Sequence, residues 1–319
     1  MTNIRVVCLV LTIGTSSCVA SAGTLYLDPM FGVQKTSNLV YGQGLIDNGN
    51  ALLDLKLDIY QPTDIGVAVP ESRPTIMWIH GGGWEGGTKR SVNQEEEWVP
   101  RGYNVVSIEY RLLGDNVPLT TGPADDFPFL GFLGPPGITS TVNASLEDGA
   151  LALEWLHANA NTYGIDTKRI GVAGISAGAV NALVLGHLVE PENVEIKAVI
   201  SVSGALFNFT NPFTPGGPPT MLITGENDKT LPPEFGVLTR DLMNEAGIAN
   251  EFYLEPDTGH LPNWDVVIDG QTLSEHGVDF LYQNVALVPE PSTFALGALA
   301  MMIIFGAVAR RRTVRRFGS

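Results

Sequence analysis

The chain has 319 residues, of which 44% are hydrophobic and 16% are charged. It carries 18 basic against 34 acidic residues, for a formal net charge of −16. An acidic surface of this kind argues against nucleic acid or anionic lipid as a partner, although it identifies no substrate.

The first 22 residues have the pattern of a secretory signal peptide. Arg5 precedes the apolar run Val6–Ile13, and Ala20-Ser21-Ala22 supplies small residues for cleavage. Both cysteines, Cys8 and Cys18, lie in this segment, so we expect an exported body without disulfide or thiol chemistry. A buried N-terminal strand is the alternative interpretation.

Three segments that follow are typical of strands. Leu53–Tyr60 alternates apolar with polar residues, which predicts a strand with one solvated face. Thr75–Ile79 and Tyr103–Glu109 are nearly continuous apolar runs, which suits strands buried on both faces of a mainly parallel sheet.

A glycine-rich segment, His80-Gly81-Gly82-Gly83-Trp84, directly follows the second of these strands. Consecutive glycines after a strand allow backbone N–H groups to point into a pocket, as an oxyanion hole requires. We expect the N–H groups of Gly81 and Gly82 to act there together with that of Ala177. We expect Trp84 to line a substrate pocket, with plain packing of the loop as the alternative.

The next part of the chain is irregular and then helical. Leu112–Val142 is rich in Gly, Pro, Asp and Phe and is too long for an ordinary connection, so we expect it to border a site. The segment Ser145–Asn161 predicts a helix, with Ser145 and Asp148 spaced as in a capping box.

Ser176 lies in Gly174-Ile175-Ser176-Ala177-Gly178, between the predicted strand Arg169–Ile175 and the predicted helix Ala177–Leu188. A G-x-S-x-G sequence in this context is the nucleophile elbow, a sharp turn that exposes a serine hydroxyl above a sheet. A serine hydroxyl is a weak nucleophile at neutral pH. It needs a base within hydrogen-bond reach, a group that orients the base, and donors for the oxyanion.

Asp228 is the candidate for the orienting acid. It follows the predicted strand Thr220–Thr224, which comes after a further predicted strand, Ile196–Ser203. Glu226 is the rival acid in the same segment. The connection Asn208–Pro219 is short and rich in Pro and Gly, so it leaves no room for a helical lid domain.

His260 is the candidate for the base, because it follows the predicted strand Glu251–Glu255, where ligand chemistry collects in α/β sheets. Helices are predicted on both sides of this region, at Pro233–Ala246 and Trp264–Asn284. We expect His80 to orient its own loop. The remaining histidines lie on predicted helices and are expected to be packing or surface residues: His157, His187 and His276.

The C-terminal end has three parts in sequence. Val288-Pro289-Glu290-Pro291-Ser292 precedes an uncharged stretch, Ser292–Ala309, and five arginines follow it. As a helix this stretch would be about 27 Å long, enough to cross a thin bilayer with the arginines on the cytoplasmic side. We therefore expect three segments, residues 1–22, 23–287 and 288–319, with a transmembrane helix over 292–309. Without the two ends, which hold six of the basic residues and one acidic residue, the net charge becomes about −21.

This three-part end resembles the PEP-CTERM sorting signal of Gram-negative bacteria. The resemblance implies that an exosortase-type processing enzyme removes the tail and that the protein reaches the cell surface or the extracellular matrix. It also implies that membrane insertion through the helix is transient.

From about residue 50 to 285, the chain resembles the α/β hydrolases of the esterase and lipase group near hormone-sensitive lipase, and most closely the feruloyl-esterase-like branch. The resemblance is carried by these segments: Leu57–Pro62, His80–Trp84 with Gly87-Thr88-Lys89, Glu109–Leu112, Glu147–Ala158, Gly174–Gly178 and the Asp228 and His260 segments. It implies a doubly wound, mainly parallel sheet. The order Ser176, Asp228, His260 is that of the family's triad. The chain differs in having Glu109 where many relatives have Asp, and in lacking cap helices between Val202 and Met221.

These observations predict an exported serine carboxylic-ester hydrolase that forms an acyl-enzyme. We expect short-acyl or aromatic esters as substrates, as small molecules or on polysaccharides. The sequence shows no metal-ligand set and no phosphate-binding loop, so we expect neither a metal nor a cofactor. A formamidase or peptidase with the same triad is one alternative. A non-catalytic surface binding protein on a hydrolase scaffold is another.

Overall fold

The computed structural model describes residues 23–91, 95–127, 134–189, 191–206 and 211–287. Eight strands form the main sheet: β1 Gly32–Ile46, β2 Ala51–Thr63, β3 Arg73–Ile79, β4 Asn104–Ile108, β5 Ile165–Ile175, β6 Ile196–Val202, β7 Thr220–Gly225 and β8 Asn250–Glu255. Their order is β1-β2-β4-β3-β5-β6-β7-β8. β2 is antiparallel to both of its neighbours, and the pairs from β4 to β8 are parallel. The predicted doubly wound, mainly parallel sheet is thereby confirmed.

Helices cover both faces of this sheet: α1 Glu95–Trp98, α2 Ile138–Ala158, α3 Ala160–Tyr163, α4 Ala177–His187, α5 Pro233–Glu245 and α6 Leu273–Leu281. β3 shows how one strand serves two cores, because successive side chains point to opposite faces. Met77 and Ile79 belong to the core that includes α2 and α4, whereas Ile76 and Trp78 belong to the core that includes α6.

The first strand, β1, was not predicted from the sequence. Most of its residues are exposed, so hydrophobic alternation gives almost no signal. β1 forms an antiparallel ribbon with β2, which extends beyond the predicted Leu53–Tyr60 at both ends.

The predicted helix start at Ser145 is wrong, because α2 begins seven residues earlier, at Ile138. Ser145 is buried inside the helix, and its hydroxyl donates to the Val142 carbonyl oxygen at 2.7 Å. The Asp148 carboxylate accepts from Arg111, with Nη2 at 2.8 Å and the backbone N–H at 2.7 Å. Ser145 and Asp148 are therefore polar residues inside α2 that make buried contacts, and they do not cap the start of the helix.

The predicted helix Trp264–Asn284 is also too long. A two-stranded hairpin, β9 Val267–Ile268 and β10 Gln271–Thr272, occupies its first part. The α6 helix begins after Thr272, whose hydroxyl accepts from the Glu275 N–H at 3.1 Å while the Glu275 carboxylate accepts from the Thr272 N–H at 2.7 Å. This reciprocal pair is the capping box that the helix uses.

The two ends of the body lie at the amino ends of the parallel strands. Arg169 comes just before Ile170, where the regular pairing of β5 with β3 begins. It donates to the Ala286 carbonyl oxygen at 3.3 Å and to the Ser72 carbonyl oxygen at 3.0 Å. The Tyr26 N–H donates to Arg101, close to the start of β4. Both ends of the described body therefore lie at the amino ends of the parallel strands, opposite to the carboxyl ends that carry Ser176, Asp228 and His260.

The predicted signal peptide, residues 1–22, and the tail, residues 288–319 with the predicted helix 292–309, lie outside the described residues. Within residues 23–287, where the structure describes the chain, no helix is both long and apolar enough to cross a membrane. The described part of the β6–β7 connection, residues 203–206 and 211–219, is irregular and contains no helix.

Candidate active site

Ser176 lies at the junction of β5 and α4 with φ 55° and ψ −121°. A serine rarely adopts this backbone conformation, which costs on the order of 1–3 kcal/mol and persists only when the surroundings impose it. The Ser176 N–H donates to the Val202 carbonyl oxygen at 2.8 Å, and its carbonyl oxygen accepts from Ala179 at 2.9 Å. The turn is thus fixed from both sides.

Both glycines of the elbow are required by close backbone approach. A Cβ on Gly178 would overlap the Ile79 carbonyl oxygen, and a Cβ on Gly174 would overlap the Gly178 carbonyl group. The tight packing of β3, β5 and α4 therefore depends on the absence of side chains at these two positions.

The structure brings Ser176, His260 and Asp228 together in one chain of hydrogen bonds. His260 Nε2 lies 2.8 Å from Ser176 Oγ, and His260 Nδ1 lies 2.7 Å from Asp228 Oδ2. An ionised carboxylate can only accept, so Nδ1 carries the proton and Nε2 is left to accept from the serine hydroxyl. This is the tautomer that a general base needs.

Asp228 is fixed more firmly than its rival, Glu226. The Asp228 side chain is fully buried, and its second oxygen accepts from the backbone N–H groups of Thr230 at 2.8 Å and Leu231 at 2.9 Å. The Glu226 carboxylate is exposed and accepts from the Asp257 N–H at 3.2 Å. Of the two acids, the one that contacts His260 is Asp228.

The glycine-rich segment forms a loop over the elbow. Gly82, Gly83 and Trp84 have φ values of 117°, 64° and 58°. A Cβ on Gly81 would lie 3.1 Å from the Ser176 Cβ, which places this glycine directly against the serine. Among the described residues, no hydrogen-bond acceptor is found for the N–H groups of Gly81, Gly82 and Gly83. These donors remain available to a ligand.

His80 holds this loop from beneath. Its ring is buried and stacks on Tyr110 with 4.2 Å between centroids, and the Tyr110 hydroxyl donates to the His80 carbonyl oxygen at 2.9 Å. Burial lowers the pKa of His80 and raises the pKa of Tyr110, so both side chains stay neutral near pH 7.

A buried lysine fixes the far end of the loop. Lys89 Nζ lies 2.9 Å from the Glu109 carboxylate and 3.9 Å from that of Asp58, and its side chain is only 4% exposed. Asp58 also pairs with Lys35 at 2.8 Å. The loop is thus bound to β2 and to the end of β4 through charged groups.

A cavity of about 200 Å³ opens beside Ser176 and His260. Trp84 lies on its wall, and its indole N–H donates to Asn181 Oδ1 at 3.1 Å. The segment Leu112–Val142, which the sequence predicts to border a site, contributes Gly134, Pro135 and Ile138 to the lining. Sequence reasoning did not single out several other lining residues, namely Gly83, Val180, Ser203 and Leu231. Helix periodicity alone marks Val180 and Ile138 as apolar positions, but it does not tell a cavity wall from a core.

Over the described residues, no group of three or more His, Cys, Asp and Glu side chains could hold a metal ion. Two further histidines outside the site make structural contacts, whereas His157 is exposed. His187 Nε2 lies 2.8 Å from Thr220 Oγ1, and His276 Nε2 donates to the Ile268 carbonyl oxygen at 2.8 Å.

Comparison with known proteins agrees with this architecture. Residues 54–213 match the carboxylesterase family, and residues 287–312 match the PEP-CTERM protein-sorting motif. A truncated carbohydrate esterase from gut microbiota has a similar fold, with a TM-score of 0.60 and 17% identity over 82% of this chain and 99% of that one. Esterase 2 of Thermogutta terrifontis has a TM-score of 0.55 and 22% identity over 80% and 96%.

Two curated relatives are similar in sequence. Secreted lipase 5 of Gibberella zeae is 32% identical over 163 residues, which are 47% of this chain and 27% of the lipase. Chlorogenic acid esterase of Aspergillus niger is 32% identical over 185 residues, or 54% and 32% of the two chains. The matched part thus spans about a third or less of either relative. Because the family match covers half of the 319 residues and the fold agrees, this chain belongs to the carboxylesterase family.

Proposed function

We propose that this protein is an exported serine carboxylic-ester hydrolase that works through an acyl-enzyme. The observation that carries the proposal is the hydrogen-bonded chain from Ser176 through His260 to Asp228, which opens on a mainly apolar cavity. Membership of the carboxylesterase family supports it.

The geometry suits a two-step reaction. His260 Nε2 takes the hydroxyl proton of Ser176 as Oγ attacks the ester carbonyl carbon, while Asp228 orients the ring and stabilises the imidazolium. The tetrahedral intermediate then collapses, and the alcohol leaves with the proton from His260. Water attacks the resulting acyl-enzyme with His260 again as base, which releases the acid and restores the serine.

The developing oxyanion needs backbone donors in fixed positions. We assign this role to the N–H groups of Gly81, Gly82 and Ala177. Gly81 lies against the Ser176 side chain, and Ala177 lines the cavity at the start of α4. Gly83 also lines the cavity, so its N–H is a further candidate donor.

The cavity favours short-acyl or aromatic esters as substrates. Apolar side chains, including Trp84, Ile138 and Val180, form much of its lining, and Glu85 is its one charged lining residue within the described chain. A carboxylate at this position disfavours anionic acyl groups. The names of two similar proteins, a chlorogenic acid esterase and a carbohydrate esterase, make aromatic and carbohydrate esters the first classes to test.

The site of action follows from the sorting motif. We propose that the protein is exported, is anchored for a time through residues 292–309, and is released to the surface or matrix of a Gram-negative bacterium by an exosortase-type enzyme. The PEP-CTERM match over residues 287–312 supports this route.

Ser176→Ala tests the mechanism. We expect a loss of about 10³-fold or more in the hydrolysis of p-nitrophenyl acetate, together with loss of labelling by a fluorophosphonate probe. Ser72→Ala, an exposed serine at the opposite sheet edge, is the matched control and should keep full activity. Retained hydrolysis in Ser176→Ala would contradict the mechanism.

Two further measurements separate the alternatives. The same triad can cleave amides, so turnover of a p-nitroanilide or a formamide exceeding that of the matching ester would favour a formamidase or peptidase. A wild-type protein that neither hydrolyses esters nor reacts with the fluorophosphonate would favour a binding protein on a hydrolase scaffold.

A further inference from the structure

The loop that carries His260, residues 256–263, has little packing to hold it. Its residues are exposed or half-buried, and Leu261 is 71% exposed. Yet the ring at its centre must keep hydrogen-bond distance to both Ser176 and Asp228. Something other than burial of the loop has to fix its shape.

Glu255, the last residue of β8, provides that constraint. Its side chain is buried, and Oε1 accepts from the Thr258 hydroxyl at 2.8 Å. The Asn263 N–H donates to both carboxylate oxygens, at 3.0 and 3.1 Å. Thr258 precedes His260 and Asn263 follows it, so one carboxylate joins the two sides of the loop.

A buried carboxylate is costly unless its oxygens are satisfied. Within the described residues, no lysine or arginine pairs with Glu255, and its contacts are the two loop donors. Glu251 on the same strand provides a contrast. It is half-buried, and its carboxylate accepts from the Tyr253 hydroxyl at 2.8 Å, without contact to the loop.

The backbone around Glu255 also connects the loop to the one that carries Asp228. The Glu226 N–H donates to the Glu255 carbonyl oxygen at 2.9 Å, and the Asn227 N–H donates to the Thr258 carbonyl oxygen at 2.8 Å. A shift of Thr258 would therefore move His260 relative to Asp228 as well as to Ser176.

We propose that Glu255 is a positioning residue for His260: by binding Thr258 and Asn263, its carboxylate holds the imidazole in line between Asp228 and Ser176. This inference rests on the proposed function, since it assigns how the base of that reaction is held. Misplacement of a reacting group by about 1 Å can lower a rate by about 10²-fold, so a support of this kind has a measurable effect on turnover.

The first test removes one side of the contact by Thr258→Val, which deletes the hydroxyl and keeps the shape of the side chain. For p-nitrophenyl acetate we expect kcat to fall about tenfold with KM changed by less than about twofold, because the cavity is untouched. The rate of fluorophosphonate labelling should fall by the same factor. Thr258→Ser restores the hydroxyl and should recover at least about half of the wild-type kcat.

The second test is Glu255→Gln, for which we expect a loss in kcat of about 10²-fold, because the neutral amide has one acceptor oxygen in place of two and forms weaker hydrogen bonds than the carboxylate. Glu251→Gln is the matched control on the same strand and should keep kcat within about twofold of wild type. Melting temperatures of all four variants separate misfolding from mispositioning.

The outcomes are distinguishable. A wild-type protein without esterase activity or labelling refutes the proposed function itself. An active wild type whose Thr258→Val variant keeps kcat within about threefold, or loses activity through KM alone, overturns the role of Glu255 whatever Glu255→Gln does.

Discussion

Two loops that reach the same cavity each carry a histidine, and they are fixed in different ways. The glycine-rich loop is anchored in the protein interior: His80 is 1% exposed and stacked on Tyr110, and Lys89 is buried beside Glu109. The His260 loop is half-exposed and is fixed mainly by hydrogen bonds to Glu255 and to Asn227.

The difference matches what each loop is proposed to do. Backbone donors for an oxyanion should not move during reaction, and an interior anchor keeps them in place. A base has to reach the leaving alcohol and the attacking water, so its side chain cannot be sealed in. The His260 side chain is 21% exposed, whereas the Asp228 side chain behind it is fully buried.

The largest effect should come from breaking the anchored loop at Gly87. This glycine has φ 102°, and a Cβ there would overlap the Gly81 carbonyl oxygen and the His80 ring. We expect Gly87→Ala to lower kcat/KM for p-nitrophenyl acetate by about 10³-fold, or about 4 kcal/mol, because several donors are displaced. Gly86→Ala is the matched control, because no heavy atom lies within 4 Å of a Cβ built there. Equal activities in the two variants would mean that the loop is not rigid.

A smaller effect is expected from the charged anchor. Lys89→Met leaves the buried Asp58 and the Glu109 carboxylate without this cation, and we expect the free energy of unfolding in urea to fall by about 3 kcal/mol. Lys35→Met removes the other cation that pairs with Asp58, but its side chain is 36% exposed, so the loss should stay below about 1 kcal/mol. Similar losses in the free energy of unfolding for the two variants would contradict the argument that the buried ion pairs of Lys89 contribute more than the exposed pair of Lys35.

The smallest effect concerns acid stability and extends the comparison to a second buried histidine. Burial lowers the pKa of His187 to about 4, as it also lowers that of His80. The unfolded chain takes up these protons near pH 6.5, so stability is unaffected above that pH and falls as the pH decreases from about 6.5 to 4.

The variant His187→Gln should remove part of this fall, on the order of 2 kcal/mol between pH 7 and pH 4.5 in urea unfolding. His157→Gln, on the exposed side of α2, is the control and should leave the fall unchanged. An unaltered pH dependence in His187→Gln would show that burial of this ring does not contribute to acid sensitivity.

The sequence allowed the strand-end residues to be predicted because each follows a segment that is recognisable as a strand. Ser176 comes directly after β5, Asp228 three residues after β7 and His260 five residues after β8, and parallel strands bring their carboxyl ends to one edge. Their catalytic roles stay predictions until the variants are measured. The same holds for the oxyanion donors and for the feruloyl-esterase-like branch.

Other features depend on contacts that no local pattern reveals. Exposed β1 has no hydrophobic alternation. Ser145 and Asp148 have the spacing of a capping box, but each is there because it binds a partner from a distant part of the chain. Glu255 is in sequence only an acid at a strand end. Its importance depends on the fold of the loop that follows it, which brings Thr258 and Asn263 back to one carboxylate.

The contact between Arg169 and Ala286 has a practical consequence for handling the protein. From Ile170 to Ser176 the chain rises by about 20 Å along β5. The contact with Ala286 and the cavity therefore lie at opposite ends of the strands. A bead or a fluorescent protein attached after Leu287 would therefore start from the end of the strands that is far from the cavity. The proposed removal of the tail and the proposed hydrolysis of an ester would thus take place at opposite ends of the strands and would not compete for space.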